Sequence, residues 1–255
     1  MSLTILGTDP CWDILSNQLK DSHPHLFFKN ILLCVNCFNF QKNKKTIIWL
    51  HESPALTKNV IEKIEENPEL FKDTVVYCCV ESLFKYPFVK YMHPSYSSWI
   101  SEPMYFPKKI KLVSMISSNK NFTKGHALRH KVIKNLPNCV DLYGRGFNEI
   151  KNKSEGLNDY CFSIAIENDD TDLWFTEKIL DCFLTCTIPI YWGSKKISSV
   201  FNSEGILWLN EINDICSLTY LDYNNKIEAI KENYQKALEQ NISPMQSLIK
   251  ILEEN

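Results

Sequence analysis

Residues 167–193 read ENDDTDLWFTEKILDCFLTCTIPIYWG. The stretch opens with acids and an amide, passes through two aromatics and a Thr-Glu-Lys triplet, and closes on an apolar segment with a proline before a glycine. Thr176 is a good N-cap for a helix over 176–185 whose apolar face is Ile179, Leu180 and Phe183. A strand over 188–192 follows. Helix then strand in so short a span is the unit from which α/β layers with parallel sheets are built. Lys178 resists a purely structural reading, because a cation in the first turn opposes the helix dipole. Backbone N–H groups at this end favour an anion such as a diphosphate, which Lys178 would help hold while Glu177 accepts from ribose hydroxyls. The local pattern by itself favours the plainer alternative, a capped helix with a solvated Glu-Lys pair.

The same alternation extends outward. Apolar runs at 3–6, 31–35, 46–50, 74–80, 112–116, 140–143 and 162–166 read as strands. Between them, 57–72 places Val60, Ile61, Ile64 and Phe71 near one helical face, and 125–136 is helical in pattern. The Tyr-, Pro- and Ser-rich sequence 94–111 interrupts this periodicity. The expected architecture is α/β, with two Rossmann-like domains facing a central cleft. Residues 1–105 form the N-terminal domain, 106–225 the C-terminal domain, and 226–255 a helical tail packing across both.

The chain has 255 residues, of which 44% are hydrophobic and 12% aromatic, enough for packed cores. A net charge of −2 offers no global field to nucleic acid or anionic membrane, so an anionic ligand must be held by local cations. No run approaches the roughly 20 apolar residues of a membrane span, and the start, MSLTILGTDPCWDIL, lacks a basic segment of a secretory signal. With a Lys-, Asn- and Ile-rich composition, this fits a soluble cytoplasmic enzyme of bacterial or viral type, unless an anchor has been removed. The ten cysteines read as free thiols rather than bridges, with Cys34, Cys78, Cys79, Cys182 and Cys186 in apolar contexts. Cys34-Val-Asn-Cys37 lacks a second ligand pair and His126 with His130 lacks a third ligand, so no metal is expected. Tyr143-Gly144-Arg145-Gly146 follows a strand but is not GxGxxG, and Asp170-Thr171-Asp172 is the nearest approach to a metal-nucleotide Asp-x-Asp.

A second informative run is IIWLHESP, residues 47–54, where a β-rich segment ends in polar residues. Carboxyl ends of strands in open α/β sheets face the ligand crevice, which places Glu52 as a base. The alternative is a loop carboxylate capping a nearby backbone N–H. Neighbouring residues of extended chain face opposite sides, so His51 is a minor candidate.

Glu167-Asn168, Thr176-Glu177-Lys178 and Ile188-Pro189-Ile190-Tyr191-Trp192-Gly193, in this order and spacing, resemble the donor-binding signature of the α-1,3/1,4-fucosyltransferases, glycosyltransferase family 10. Upstream, LVSMISSNKNFTKGHALRHKVIKNLPNCVDLYGRGFN, residues 112–148, is similar to the family's segment. There a Ser-Asn pair ends a strand, an Arg opens a helix and Val-Asp-x-Tyr-Gly follows. The resemblance covers most of 112–201, and Glu52-Ser53-Pro54 resembles the family's N-terminal motif, which carries the proposed base.

The resemblance implies a GT-B fold in which residues 1–105 are the acceptor-binding domain and 106–225 the nucleotide-sugar-binding domain. It implies that Arg129 faces the diphosphate, that Asn168, Glu177 and Lys178 line the nucleotide-sugar site, and that Ser118 and Asn119 stand at its edge. Trp174 falls where the family usually has Tyr and is implied to stack while losing the phenol; Thr185-Cys186 replaces a frequent Ala-Gly. The implied reaction is inverting, metal-independent transfer of L-fucose from GDP-fucose to a hydroxyl of a glycan acceptor, as in the α-1,3-fucosyltransferases, with Glu52 as base. No cofactor is implied, GDP-fucose being the donor substrate, and the partners are that donor and a glycan. Other readings stay open: a GT-B enzyme using another nucleotide sugar, a nucleotide- or glycan-binding module without turnover, and a metal- or thiol-dependent redox protein resting on Cys34 and Cys37.

Overall fold

A computed structural model of the chain describes residues 2–93, 96–171, 173–212 and 214–255. It divides into two compact units, Met1–Ser95 with Ser243–Asn255, and Tyr96–Ile242.

The first unit carries a five-stranded parallel sheet in the order β1 (Thr4–Gly7), β2 (Ile31–Val35), β3 (Lys45–Trp49), β4 (Val75–Cys78), β5 (Val89–Tyr91). Residues 31–35 of β2 and 47–49 of β3 are apolar and buried throughout because both faces of the sheet are covered. Alternation along the strand sends Leu33, Val35, Ile47 and Trp49 to one core and Leu32, Cys34 and Ile48 to the other. The first core is closed by α1 (Cys11–Ser22) through Trp12 and Leu19, and by α7 (Pro244–Glu253) through Leu248, Ile251 and Leu252. The second is closed by α2 (Lys58–Glu66) through Val60 and Ile64. Pro68, which cannot continue a helix, ends α2 before the expected residue 72 and starts a short 3-10 turn.

The second unit carries a five-stranded parallel sheet of different order. Its strands are β6 (Lys111–Ile116), β7 (Val140–Tyr143), β8 (Tyr160–Ile166), β9 (Ile188–Trp192) and β10 (Leu207–Trp208), arranged β10-β9-β8-β6-β7. The chain moves from β6 outward to β7, then returns to the other side of β6 for β8. The strand order therefore reverses between β6 and β8, and in open α/β sheets ligands bind outside the carboxyl ends at such a point. Helices α3 (Lys124–Lys134), α4 (Glu177–Phe183), α5 (Tyr220–Asn224) and α6 (Ile227–Gln240) complete the unit. Between α4 and β9, Cys186 takes φ 51°, a left-handed conformation that suits glycine better. The replacement of the family's Ala-Gly thus acts on the backbone as well as on packing.

The division of the chain differs from the expected one at 105/106 and 225/226. Ser98 Oγ and Trp99 N donate to Asp181 of α4 at 2.6 and 2.8 Å, and Ile100 enters the second core, so the chain from Tyr96 belongs to that unit. The expected tail separates likewise: α6 packs in the second unit through Ile230, Tyr234 and Ala237, and α7 in the first. Pro94 and Ser95, in the expected linker, lie outside the described residues. No helix among the described residues is long and apolar enough to cross a membrane.

One bridge departs from the free-thiol reading: Cys139 and Cys216, 77 positions apart, are joined as a disulfide. Spacing along the chain carries no information about such a pairing. Cys34, Cys78, Cys79, Cys182 and Cys186 are buried thiols outside the bridge, as expected.

Candidate functional site

Two clusters of polar side chains gather at carboxyl ends of central strands, one in each unit. In the second unit Ser118 and Asn119 follow β6, Glu167 and Asn168 follow β8, and these strands flank the reversal. Ser117 N donates to Tyr143 O at 2.9 Å, and Gly144, with φ 114°, lies so close to Ser117 O that a Cβ there would collide with it. Gly146 packs against Asn119, and the residue between these glycines, Arg145, is exposed.

Arg129 reaches the reversal from α3. It is 6% exposed, its Nε donates to Ile166 O at 2.9 Å, and its Nη2 donates to that carbonyl and to Asn168 Oδ1, the latter at 2.9 Å. The bonds of its Nε and Nη2 fix the plane of the guanidinium, and no bond from Nη1 occurs among the described residues. Burial pulls its pKa down from the ordinary range, and Glu167 and Glu177 oppose this. Gly125 is why α3 comes so near: a Cβ there would drive into Glu167 O, and Gly125 N donates to Asn168 O at 3.3 Å. His126 is the N3 residue of a capping box, its Nδ1 accepting from Thr123 N at 3.2 Å. That bond leaves Nδ1 unprotonated, and burial, then Arg129 and Lys178, pull its pKa down to about 4.

The Thr-Glu-Lys triplet is organised by Glu167, which is fully buried. Thr176 donates to it twice, from N at 2.9 Å and from Oγ1 at 2.7 Å. Lys178 Nζ finds Thr176 Oγ1 at 2.9 Å, Glu177 Oε1 at 3.3 Å and Glu167 Oε2 at 3.4 Å. Lys153 Nζ pairs with Asp181 at 2.6 Å and Glu177 at 3.5 Å, and lies over the Trp99 ring. Burial pushes Glu177 up, but Lys178 and Lys153 outweigh it and hold its pKa at about 2. The carboxylates Glu167, Glu177 and Asp181 are thus matched by Arg129, Lys153 and Lys178. Helix α4 has only 7 residues, so the positive charge here resides in side chains more than in a helix dipole.

Trp174 does not offer the stacking face expected of it. It is fully buried, meets Tyr96 edge to face at 5.6 Å, and its indole N–H finds no acceptor among the described residues. Asp170 is paired with Lys124, and Asp172 lies outside the described residues. Among the described residues no group of three or more His, Cys, Asp and Glu side chains is arranged to hold a metal ion.

In the first unit β3 is the central strand, and His51 and Glu52 follow it. Their backbone N–H groups both donate to Asn36 Oδ1, at 2.7 and 2.9 Å. His51 is buried against the edges of Trp12 and Trp49, while Glu52 is half-buried. Ser53 O then accepts from Leu56 N at 2.8 Å and Thr57 N at 3.0 Å, tightening the turn into α2. Cys34 and Cys37 act on each other's thiols: Cys37, with burial, raises that of Cys34, and Cys34 lowers that of Cys37 to about 7.

A family model described as glycosyltransferase family 10 (fucosyltransferase), C-terminal part, matches residues 106–239, just over half of the chain. The chain belongs to glycosyltransferase family 10. Over 96 residues it is 33% identical to the α-(1,3)-fucosyltransferase FucT of Helicobacter pylori, a match spanning 38% of this chain and 20% of that protein. The crystal structure of an α1,3-fucosyltransferase superposes with a TM-score of 0.57 at 18% identity, covering 99% of this chain and 90% of that one. An α1,3-fucosyltransferase solved with GDP-fucose gives a TM-score of 0.50 at 17% identity, covering 100% and 90%. At these identities the likeness is one of fold, GT-B, which is built from two α/β domains.

Of the residues that the family 10 signature singled out, the structure brings together Arg129 with Asn168, and Glu177 with Lys178. Ser118 and Asn119 follow the neighbouring strand β6, and Glu52 lies in the other unit. Glu167, Lys153 and Asp181 were not among the expected site residues. Glu167 stands in the quoted signature, but an acid beside Asn168, Asp169 and Asp170 reads as solvated until its burial is seen.

Proposed function

We propose that this family 10 chain moves L-fucose from GDP-fucose to a hydroxyl of a glycan acceptor, with inversion at the anomeric carbon. The observation that carries the reading is the meeting of Arg129 and Asn168 at the strand-order reversal of the second unit, a ligand-binding position in folds of this kind. Two solved neighbours are α1,3-fucosyltransferases, one with GDP-fucose, which supports this choice of donor. On this reading the second unit binds the donor, with Nη1 of Arg129 toward the diphosphate and Lys178 beside it. Glu52 takes the proton from the acceptor hydroxyl. The oxygen attacks the anomeric carbon as the bond to GDP breaks, and the electron pair leaves on the diphosphate. Cations fixed before reaction stabilise that growing charge without reorganising.

A thermal-shift panel of GDP-fucose, GDP-mannose, UDP-sugars and dTDP-sugars tests the donor. A true ligand at ~100 times its dissociation constant stabilises by about 2.7 kcal/mol. GDP and GDP-fucose are expected to respond and UDP and dTDP not. A UDP response without a GDP response replaces the donor and leaves the fold untouched. The buried Trp174 makes that comparison worthwhile, since it withholds the ring expected to stack. The reading extends to a cytoplasmic enzyme, supported by the Lys-, Asn- and Ile-rich composition. The exposed Cys139–Cys216 pair counts against that placement, because a reducing cytosol keeps such pairs open.

A further inference from the structure

We infer that Asn36 is the positioning residue for Glu52: its side-chain carbonyl holds the backbone of residues 51 and 52 and so aims the proposed base. The inference rests on the reading of Glu52 given above.

Asn36 follows β2 directly, beside the central strand β3, and is buried. Its φ is 58°, a left-handed conformation that Asn tolerates better than most side chains. Its own N–H donates to Trp49 O at 2.9 Å, the last residue of β3. This bond continues the strand ladder one step past β2. The left-handed turn then brings Oδ1 back across the end of β3, where it accepts from His51 N at 2.7 Å and Glu52 N at 2.9 Å.

One carbonyl oxygen with two lone pairs serves both donors. The ladder continues one bond past Trp49, from Leu50 N to Tyr77 O at 2.9 Å, and the next two amides turn to Asn36 instead. Asn36 therefore supplies by side chain what the sheet has ceased to supply by backbone. On either side the turn is held by Cys34 Sγ to Asn39 O and Cys37 Sγ to Leu6 O, both at 3.8 Å. A group that must meet one acceptor proton needs such support, since a misplacement of about 1 Å costs on the order of 10²-fold in rate.

Asn36→Gly separates the roles. Glycine accepts the left-handed backbone without strain and removes only the acceptor. Asn36→Asp keeps both a tolerated backbone and an acceptor oxygen. Turnover is read as GDP released from GDP-fucose with a panel of oligosaccharide acceptors, and hydrogen exchange is followed on the peptide 47–56. The expected result for Asn36→Gly is a kcat loss of roughly 10- to 100-fold with donor KM and GDP thermal shift unchanged, and faster exchange at residues 51 and 52. Asn36→Asp is expected to recover most of kcat. Asn43→Gly, at another left-handed position of the same unit, is expected to change neither readout. In a Glu52→Gln background Asn36→Gly should cost nothing more. If Glu52→Gln lowers kcat and Asn36→Gly does not, or if exchange at 51 and 52 is unaltered, the inference fails. If Glu52→Gln itself retains turnover, the reading of Glu52 as base fails instead.

Discussion

Lys178 Nζ lies 3.4 Å from Oε2 of Glu167, a carboxylate with none of its side chain exposed. This pairing accounts for a cation in the first turn of α4, where the helix dipole alone would disfavour it. A lone solvated lysine there could be removed at no cost. A lysine neutralising a buried acid cannot, because Thr176 still satisfies the carboxylate oxygens but the buried charge loses a counter-charge. Lys178→Ala is therefore expected to lower the urea midpoint with an unchanged slope. Adding Glu167→Gln should restore part of the loss, since the amide needs no counter-charge. A wild-type midpoint for Lys178→Ala would reduce the pair to a surface contact.

Activity gives an independent view of the same cation. If Arg129 and Lys178 both act on the departing diphosphate, removing either is expected to lower kcat by roughly 10²–10³-fold. Because they would share one anion, the double variant should lose less than the product of the single losses. Strict multiplicativity in GDP-release assays would show that they serve separate groups.

Transfer should also survive chelation. The charge on the leaving group is assigned to Arg129 and Lys178, so EDTA is expected to leave most turnover intact. Activity lost to EDTA and restored by Mn²⁺ or Mg²⁺ would overturn that assignment.

Acid should destabilise the second unit in two steps. His126 is held at about 4 against an ordinary 6.5, by burial and then by Arg129 and Lys178. Glu177 is held at about 2 against 4.5, Lys178 and Lys153 overcoming its burial. With both folded values depressed, the unfolded chain takes up protons first as pH falls. The His126 contribution is complete above about 6.5 and lost toward 4; that of Glu177 is complete above about 4.5 and lost toward 2. His126→Gln keeps a capping-box residue at N3, so it should flatten the upper step and spare the lower. Melting temperatures from pH 7 to 3 on both proteins decide this; an unchanged upper step would mean that His126 does not produce it.

The Cys139–Cys216 bridge joins residues 77 positions apart, both exposed. Closing a loop of this length restricts the unfolded chain and typically adds about 2–4 kcal/mol. Reduction and Cys216→Ser are each expected to lower the denaturation midpoint by the same amount. Free thiols at 139 and 216 in protein kept from reductants, read by mass spectrometry, would remove the bridge.

The strands that position the site were legible because strands buried on both faces read as unbroken apolar runs; Ile31–Val35 and Ile188–Trp192 are found where expected. The edge strands β5 and β10 were not, since 3 and 2 residues are too short for a period to show. Helix α1 escaped notice because only Trp12 and Leu19 along it are buried, while Ile14 is 61% exposed. Arg129, Asn168, Glu177 and Lys178 were visible through a family signature rather than through any local period. Asn36 had no such mark. It stands inside Cys34-Val-Asn-Cys37, where attention falls on the thiols, and its role depends on a bond to residues 15 and 16 positions away.

The first unit is built from both ends of the chain, and this orders events during synthesis. Leu248, Ile251 and Leu252 fill the core under β2 and β3, and Lys29 Nζ reaches Leu252 O at 2.6 Å. A ribosome completes every residue of the second unit, through Ile242, before it makes Ser243. Leu33, Ile47 and Trp49 therefore wait for the closing helix until the chain is complete. Until then the first sheet offers an apolar face to the crowded space around the translating complex, and chaperones that bind nascent chains should dwell longest there.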